Sequence, residues 1–329
     1  MLHTVIMAGG SGTRFWPESR RQLPKQFLKF SGEQTLIQEA AGRCAPAILP
    51  DRTWIVTNAA HAAETACLEP CGRNTAPCIG LAAIQLLAVD PEAMMLVMPA
   101  DHVIQPAAMF QQAVKQAVEL VERAPQSLVL FGVEPNYPAT GFGYIRRGEK
   151  LENTEWPMFH VLSFQEKPNQ LTAARYCAAG EYYWNCGIFV WRAQTILDAL
   201  KEHAPEIHQR LMIIREAIAT PDWSKVLQAE FPNMPSISID YAVLEKAAQV
   251  CVLEAPFDWD DVGSWHALAR MNSVDGDGNT LDGLVCPVDS SGCIVRTTGE
   301  HLVATIGVKD LIIVHTPTAL SLIHISEPT

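Results

Sequence analysis

Through the first two-thirds of the chain, short apolar runs of strand length alternate with longer segments of helical period. That alternation constrains the fold more than any other feature. The strand candidates are Thr4–Met7, Trp54–Thr57, Met94–Met98 and Leu128–Val133. Between them lie helix-period segments at Leu36–Cys44, with Thr35 placed to cap it, at Thr75–Val89 and at Ala107–Arg123. The last sets Phe110, Ala113, Val114, Ala117, Val118 and Val121 on one face, as a helix lying on a sheet requires. The pattern predicts an α/β fold, a doubly wound, mostly parallel sheet with ligands at the carboxyl ends of its strands. One interval does not fit. About nine residues separate Trp54–Thr57 from Cys67–Glu69, fewer than a parallel crossover usually takes. A shortened crossover, an antiparallel edge strand and a local deletion all stay open.

The middle of the chain mixes strands (Phe159–Gln165, Gly187–Trp191, Val250–Leu253) with helices (Leu171–Ala179, Thr195–Glu202, Ile207–Ala219, Tyr241–Ala248). From about Gly276 short strands separated by glycines and Asp/Asn turns replace the helices: Gly283–Pro287, Gly292–Arg296, Leu302–Ile306 and Leu311–Val314. A domain over 1–272 followed by a small β appendage over 273–319 is therefore expected. Residues 320–329 back-translate into a sequence like the transposon end and adapter of a sequencing library. They are expected to be an artefact rather than part of the native fold.

The first strand runs into Met7-Ala8-Gly9-Gly10-Ser11-Gly12-Thr13-Arg14-Phe15-Trp16-Pro17, followed by Pro24-Lys25-Gln26-Phe27. Three glycines in four positions let the backbone turn sharply and aim several N–H groups at an anion. Arg14 and Lys25 add charge at the same place, a combination suited to a nucleoside triphosphate. It is neither a Walker loop, since Thr13-Arg14 follows Gly12, nor a dinucleotide fingerprint, since Phe15 stands at the third glycine position. A glycine turn after an edge strand, with no ligand, is the alternative for this segment taken alone.

A formal charge of −12 over 329 residues argues against nonspecific binding to nucleic acid or anionic membranes. Against that background Arg14, Arg20, Arg21, Lys25 and Lys29 crowd into one stretch, and an anion site fits better than a solvated loop. The nine cysteines include no CxxC pair or zinc spacing, and no basic-then-apolar leader or bilayer-length apolar run is present. Reduced thiols and a soluble, cytoplasmic protein are expected.

Six further segments join the glycine turn: Glu69-Pro70-Cys71-Gly72-Arg73-Asn74-Thr75-Ala76-Pro77, Pro99-Ala100-Asp101-His102, Thr140-Gly141-Phe142-Gly143-Tyr144-Ile145, Glu166-Lys167-Pro168, Trp184-Asn185-Cys186-Gly187-Ile188-Phe189 and Phe257-Asp258-Trp259-Asp260-Asp261-Val262-Gly263-Ser264-Trp265. In this order they resemble the mannose-1-phosphate guanylyltransferases, within the sugar-nucleotide pyrophosphorylases. The resemblance implies a Rossmann-like, GT-A-like nucleotidyltransferase sheet with a β-helix-like appendage. It implies GTP and mannose 1-phosphate as substrates and Mg²⁺ as cofactor. Gly9, Gly10, Ser11, Gly12, Thr13 and Arg14 would hold the triphosphate, and Arg73, Asn74 and Thr75 would read guanine; Asn74 can cap the helix at Thr75 as well. Gly143, Tyr144, Glu166, Lys167 and Asn185 would take the sugar phosphate.

Arg14, Lys25, Asp101 and Asp261 are the expected catalytic set, with Asp101 and Asp261 on the metal, because Mg²⁺ favours one or two carboxylates plus phosphate oxygens and waters. Asp240 and Glu245 fit either the pocket or a helix surface, and His61 and His102 read as structural rather than as metal ligands. The copy departs from its relatives in a shorter 58–69 segment, in Cys186 and Cys78, and in lacking an isomerase-type barrel, so no phosphomannose isomerase activity is expected. A sister pyrophosphorylase for another nucleotide or hexose and a non-catalytic nucleotide-binding subunit are the rival readings. The β appendage invites homodimer contacts.

Overall fold

The computed structural model describes residues 1–10, 13–30, 32–58 and 66–325. They form two compact units. One comprises Met1–Gly9, Ala40–Ala100 and Ile104–Trp259, the other Gly10–Glu39, Asp101–Val103 and Asp260–Thr329.

The first unit is built on nine strands: β1 (Leu2–Met7), β2 (Thr53–Asn58), β3 (Ala66–Glu69), β4 (Met94–Pro99), β5 (Leu128–Val133), β6 (Gly143–Lys150), β7 (Met158–Glu166), β8 (Tyr182–Arg192) and β9 (Val250–Glu254). Their order in the sheet is β3-β2-β1-β4-β8-β5-β9-β7-β6, with β6 also touching β8. The β1–β2, β1–β4, β2–β3 and β5–β9 ladders are parallel. β8 enters antiparallel between β4 and β5, and β6 and β7 form an antiparallel pair at the end. The α/β class holds, and β7 and β8 run against the other strands of the sheet. Strands buried on both faces read as continuous apolar runs in either direction, so the sequence carries no sign of the reversal. β2 and β3 pair in parallel, which settles the sense of the short interval; its residues 59–65 lie outside the described residues.

The helices are α1 (Leu36–Arg43), α2 (Thr75–Val89), α3 (Ala107–Arg123), α4 (Gln170–Ala179), α5 (Ala193–His203), α6 (Pro205–Glu216), α7 (Trp223–Glu230) and α8 (Ala267–Met271). α2 is apolar nearly all round and buried accordingly, sharing a core with β4, β5, β8, α5 and α6. Gly80 makes that packing close. A Cβ there would strike Leu211 of α6 and come within 3.3 Å of Leu200 of α5. The helix expected at Tyr241–Ala248 is instead a single π-helical turn, Asp240–Leu244.

In the second unit the C-terminal strands are β10 (Thr280–Asp282), β11 (Val285–Val288), β12 (Ile294–Thr297), β13 (Val303–Ile306), β14 (Leu311–Thr316) and β15 (Ala319–His324). β10, β12 and β14 stack in parallel, and so do β11 and β13. The chain thus alternates between two parallel ladders, as a coil of β rungs does. β15, within the segment expected to be adapter-derived, pairs antiparallel with β14.

The unit's core joins Ile294, Ile312 and Val314 to Phe15, Leu28, Phe30 and Leu36 from the N-terminal segment and to Val262 and Trp265. Phe15 meets both Phe30 and Trp265 edge to face at 4.9 Å, so the segment after the glycine turn is anchored by aromatic packing. No described helix is long and apolar enough to cross a membrane.

Candidate active site

Lys25 is the centre of the second unit's polar chemistry. Pro24 fixes the chain just before the one-turn helix Lys25–Phe27, and that turn leaves the lysine 7% exposed. Its Nζ donates to Asp101 Oδ2 at 2.8 Å and to the Asp261 carbonyl at 2.6 Å. A buried ammonium is stable only with such partners. The residues line a cavity of about 340 Å³ together with Gly10, Arg14 and His102. Burial pushes the Asp101 carboxyl up, but Lys25 and His102 outweigh it and hold the group below the usual carboxylate range. Burial raises Asp261 against the pull of Lys25.

Two neighbouring acids in the same turn have different fates. Asp260 is tied to Arg270 at 2.5 Å and 3.0 Å and accepts from the Val262 amide. Asp261 accepts through Oδ1 from the Gly263 amide at 3.1 Å. Val262 holds this turn at φ +46°, a strained position for a β-branched residue. Arg14 Nη1 donates to the Gly263 carbonyl at 3.4 Å, which brings the guanidinium to the same wall. Gln26 donates to the Gly10 carbonyl at 3.5 Å.

Gly10 therefore lines the cavity with Arg14 as expected. Ser11 and Gly12 lie outside the described residues, as does His61, and of Thr13 only the backbone turn Thr13–Phe15 is described. His102, read from sequence as structural, lines the cavity beside Asp101 at 3.9 Å. Among the described residues no three His, Cys, Asp or Glu side chains cluster for a metal. A carboxylate held ionised beside a second one suits an ion that takes its remaining ligands from phosphate and water, and Mg²⁺ is such an ion.

The first unit carries the other expected residues. β3 ends at Glu69, which is 4% exposed. Its Oε1 has no partner among the described residues, and its Oε2 lies 3.8 Å from where a Cβ on Gly9 would stand. Burial pushes its carboxyl up to about 7. In the sequence Glu69 stands only at the head of a motif; an acid closing a strand before proline was the available signal. Asn74 caps α2, its side chain accepting from the Thr75 amide at 2.8 Å, with φ at +66°. The Thr75 hydroxyl accepts from the Ile239 amide at 2.8 Å, and Arg73 donates to the Pro232 carbonyl.

Gly143 and Glu166 are direct partners across β6 and β7. Lys167 donates to Glu166 Oε1 at 2.7 Å from a left-handed backbone at φ +47°. Burial pulls the Lys167 ammonium down, and Glu166 more than restores it. Asn185 is fixed from both ends, donating to Asp240 Oδ1 at 2.9 Å and accepting from the Gly187 amide at 3.1 Å. Burial, with the charge of Glu166, pushes Asp240 up to about 6, so this residue belongs with the polar group and not with a helix surface. Glu245 joins it, accepting from the Glu166 amide at 3.2 Å. Tyr144 is buried in an aromatic cluster with Trp184, where burial raises its hydroxyl to about 12; the structure gives it a packing role.

A sheet of this topology and a cavity pairing a buried lysine with two carboxylates define a nucleotidyltransferase. Residues 3–277 match the nucleotidyl transferase family and residues 283–324 the MannoseP isomerase/GMP-like beta-helix domain, so the chain belongs to the nucleotidyl transferase family. It is 39% identical to the alginate biosynthesis protein AlgA of Pseudomonas aeruginosa over 97% of this chain and 68% of that protein. It is 38% identical to a mannose-1-phosphate guanylyltransferase of Escherichia coli over 97% of this chain and 70% of that one. The solved structure of a mannose-1-phosphate geranyltransferase from Thermus thermophilus matches with a TM-score of 0.88 at 33% identity, covering 98% of this chain and 94% of that one.

Proposed function

We propose that the protein transfers GMP from GTP to α-D-mannose 1-phosphate, giving GDP-mannose and diphosphate by direct in-line displacement at the α-phosphorus. The single observation that carries this reading is Lys25, 7% exposed and shared between Asp101 and Asp261 in a polar cavity beside Arg14. A sugar phosphate is already anionic near neutrality, with a second pKa of about 6, and needs no protein base. It needs cations and fixed N–H donors to approach a polyanion in line. Lys25 neutralises charge developing at the α-phosphate and on departing diphosphate, and Arg14 with the Gly9–Gly10 amides holds the rest of the triphosphate. Bound by Asp101 and Asp261, Mg²⁺ would supply further neutralisation of the phosphate oxygens.

Guanine presents N1–H and an N2 amino group as donors beside its O6 and N7 acceptors. The unpartnered Oε1 of Glu69 suits the donors, and Arg73, whose Nε is likewise unpartnered among the described residues, suits the acceptors. Gly143, Glu166, Lys167 and Asn185 take the sugar phosphate, with Lys167 on the phosphate. The names of the relatives support mannose 1-phosphate over other hexose phosphates.

The test is diphosphate release from GTP and mannose 1-phosphate, run beside ATP, UTP, TTP and glucose 1-phosphate. Release with GTP and mannose 1-phosphate, abolished by EDTA and restored by Mg²⁺, is expected; release only with another pair, or turnover indifferent to EDTA, overturns the reading. A cytoplasmic site and a homodimer belong to the same proposal. The free thiols of the described cysteines support the first, and exposed Val288, Leu302 and Ile306 in and beside β11 and β13 support the second. Light scattering decides the dimer.

A further inference from the structure

The strand β12 carries an arginine that no reading of the reaction uses. Arg296 is buried, and its own ladder prepares it: Asp282 on β10 is its direct register partner and accepts from its Nη1 at 2.5 Å. The rest of the guanidinium faces the N-terminal segment. Nε donates to Glu18 Oε1 at 2.5 Å, and Nη2 to the Lys29 carbonyl at 2.6 Å. The plane of charge lies 5.2 Å from the centroid of the Phe30 ring. The Glu18 side chain is 6% exposed and that of Arg296 9%, so both partners are largely buried.

These contacts fall at both ends of one stretch. Glu18 precedes Lys25 by seven residues and Lys29 follows it by four. Between them the one-turn helix Lys25–Phe27 makes its own backbone bonds, Phe27 N to Pro24 O and Leu28 N to Lys25 O, but a single turn has no stability of its own. A rigid fork that grips a carboxylate on one side and a carbonyl on the other fixes the span between them, which a flexible ammonium could not do.

We propose that Arg296 is a positioning residue for the reaction: the β unit reaches through it to hold the Glu18–Lys29 span, and thereby sets Nζ of Lys25 where the triphosphate is attacked. The inference rests on the role given to Lys25 under the proposed function. It accounts for a buried Glu–Arg pair far along the chain from the reacting groups. Such pairs are weak devices for stability and better ones for fixing geometry. Asp282, Phe30 and the Lys29 carbonyl set the arginine, Glu18 receives it, and Lys25 is what the arrangement serves.

The experiment uses the full chain, Lys25→Ala, Arg296→Lys, and the pair Glu18→Gln with Arg296→Met, which leaves no buried carboxylate opposite an uncharged side chain. Each arginine change is also placed on Lys25→Ala. Diphosphate release gives kcat and KM, and thermal midpoints are recorded alongside. The double variant is expected to lose about tenfold or more in kcat with KM for mannose 1-phosphate within about twofold. Arg296→Lys keeps the charge, folds with an unshifted midpoint and loses about threefold to tenfold in kcat.

On Lys25→Ala the same changes are expected to alter kcat by less than about twofold, because the group being positioned is gone. Wild-type kcat in both arginine variants overturns the proposal, and so does an undiminished loss on the Lys25→Ala background, which marks a general structural role. Full activity in Lys25→Ala alone overturns the reading of Lys25 itself. The two failures are therefore told apart by that single variant.

Discussion

At the scale of single residues, Lys25 concentrates the site's electrostatics because its buried ammonium is held between the Asp101 carboxylate and the Asp261 carbonyl. In the proposed reaction its removal would delete a charge that grows in worth as negative charge moves onto the leaving diphosphate. Lys25→Ala is therefore expected to lower kcat by about 3–4 kcal/mol of transition-state stabilisation, a few hundredfold, and Asp261→Asn by a similar amount. Diphosphate release under saturating substrates measures it, and near-wild-type turnover in either variant defeats the assignment.

Glu69 offers a prediction about stability. Its carboxyl is raised by burial from 4.5 to about 7, so between those values the folded chain keeps a proton that the unfolded chain has released. Stability must then fall as pH rises through that window, with the loss complete above the folded value. The full difference is of order 3 kcal/mol. Glu69→Gln, which keeps the shape and never ionises, should match wild type below about pH 5 and exceed it at about pH 8 by that order. Urea midpoints across pH measure the gap; a gap that is constant with pH rules out the raised carboxyl. The same variant should weaken discrimination between GTP and ATP. Lys25, Asp101 and Asp261 were legible in the sequence because each sits in a compact motif. The burial of Glu69 and the bond from Asn185 to Asp240 were not, since both arise between segments that touch only in the folded chain.

Elements show the same division between what is local and what is not. α2 and α3 begin and end where the apolar period puts them, at Thr75–Val89 and Ala107–Arg123, because helical period is a property of adjacent residues. Strand direction is not. β8 runs antiparallel between two strands whose apolar runs look the same either way. β6 escaped as a strand because Gly143 and Gly148 flank the charged pair Arg146-Arg147, and only its ladders with β7 and β8 make it one. α7 buries little besides Leu227, so its periodic signal is faint.

The β6–β7 ladder also carries a prediction. Gly143 faces Glu166 in register, and a Cβ on Gly143 would collide with Glu166 Oε2 and stand 3.0 Å from the Phe164 ring. The carboxylate can move and the ring cannot, so Gly143→Ala should displace Glu166 and its partner Lys167. KM for mannose 1-phosphate is expected to rise about tenfold with KM for GTP within about twofold, at a stability cost of about 1–3 kcal/mol. An equal rise in both constants would deny Glu166 and Lys167 their place on the sugar phosphate.

For the molecule as a whole, the division into units matters more than the order of segments along the chain. A β appendage added after a finished domain would be dispensable for chemistry. Here the C-terminal rungs and the Lys25 segment lie within one compact unit and one apolar core: Ile294, Ile312 and Val314 pack with Phe15, Leu28 and Phe30. Each of those three aliphatic side chains contributes about 1.5–3 kcal/mol through burial. A chain cut after Asn272 keeps Arg14, Lys25, Asp101 and Asp261 but exposes that core and removes Arg296. It is expected to lose diphosphate release below detection while the nine-stranded sheet keeps its own core and its far-ultraviolet signal. ANS binding should rise, since the aromatic cluster around Phe15 and Trp265 loses its cover. Activity in the cut chain within about tenfold of the full one would mean that the Lys25 segment holds its shape unaided, and the case for a shared unit would fail.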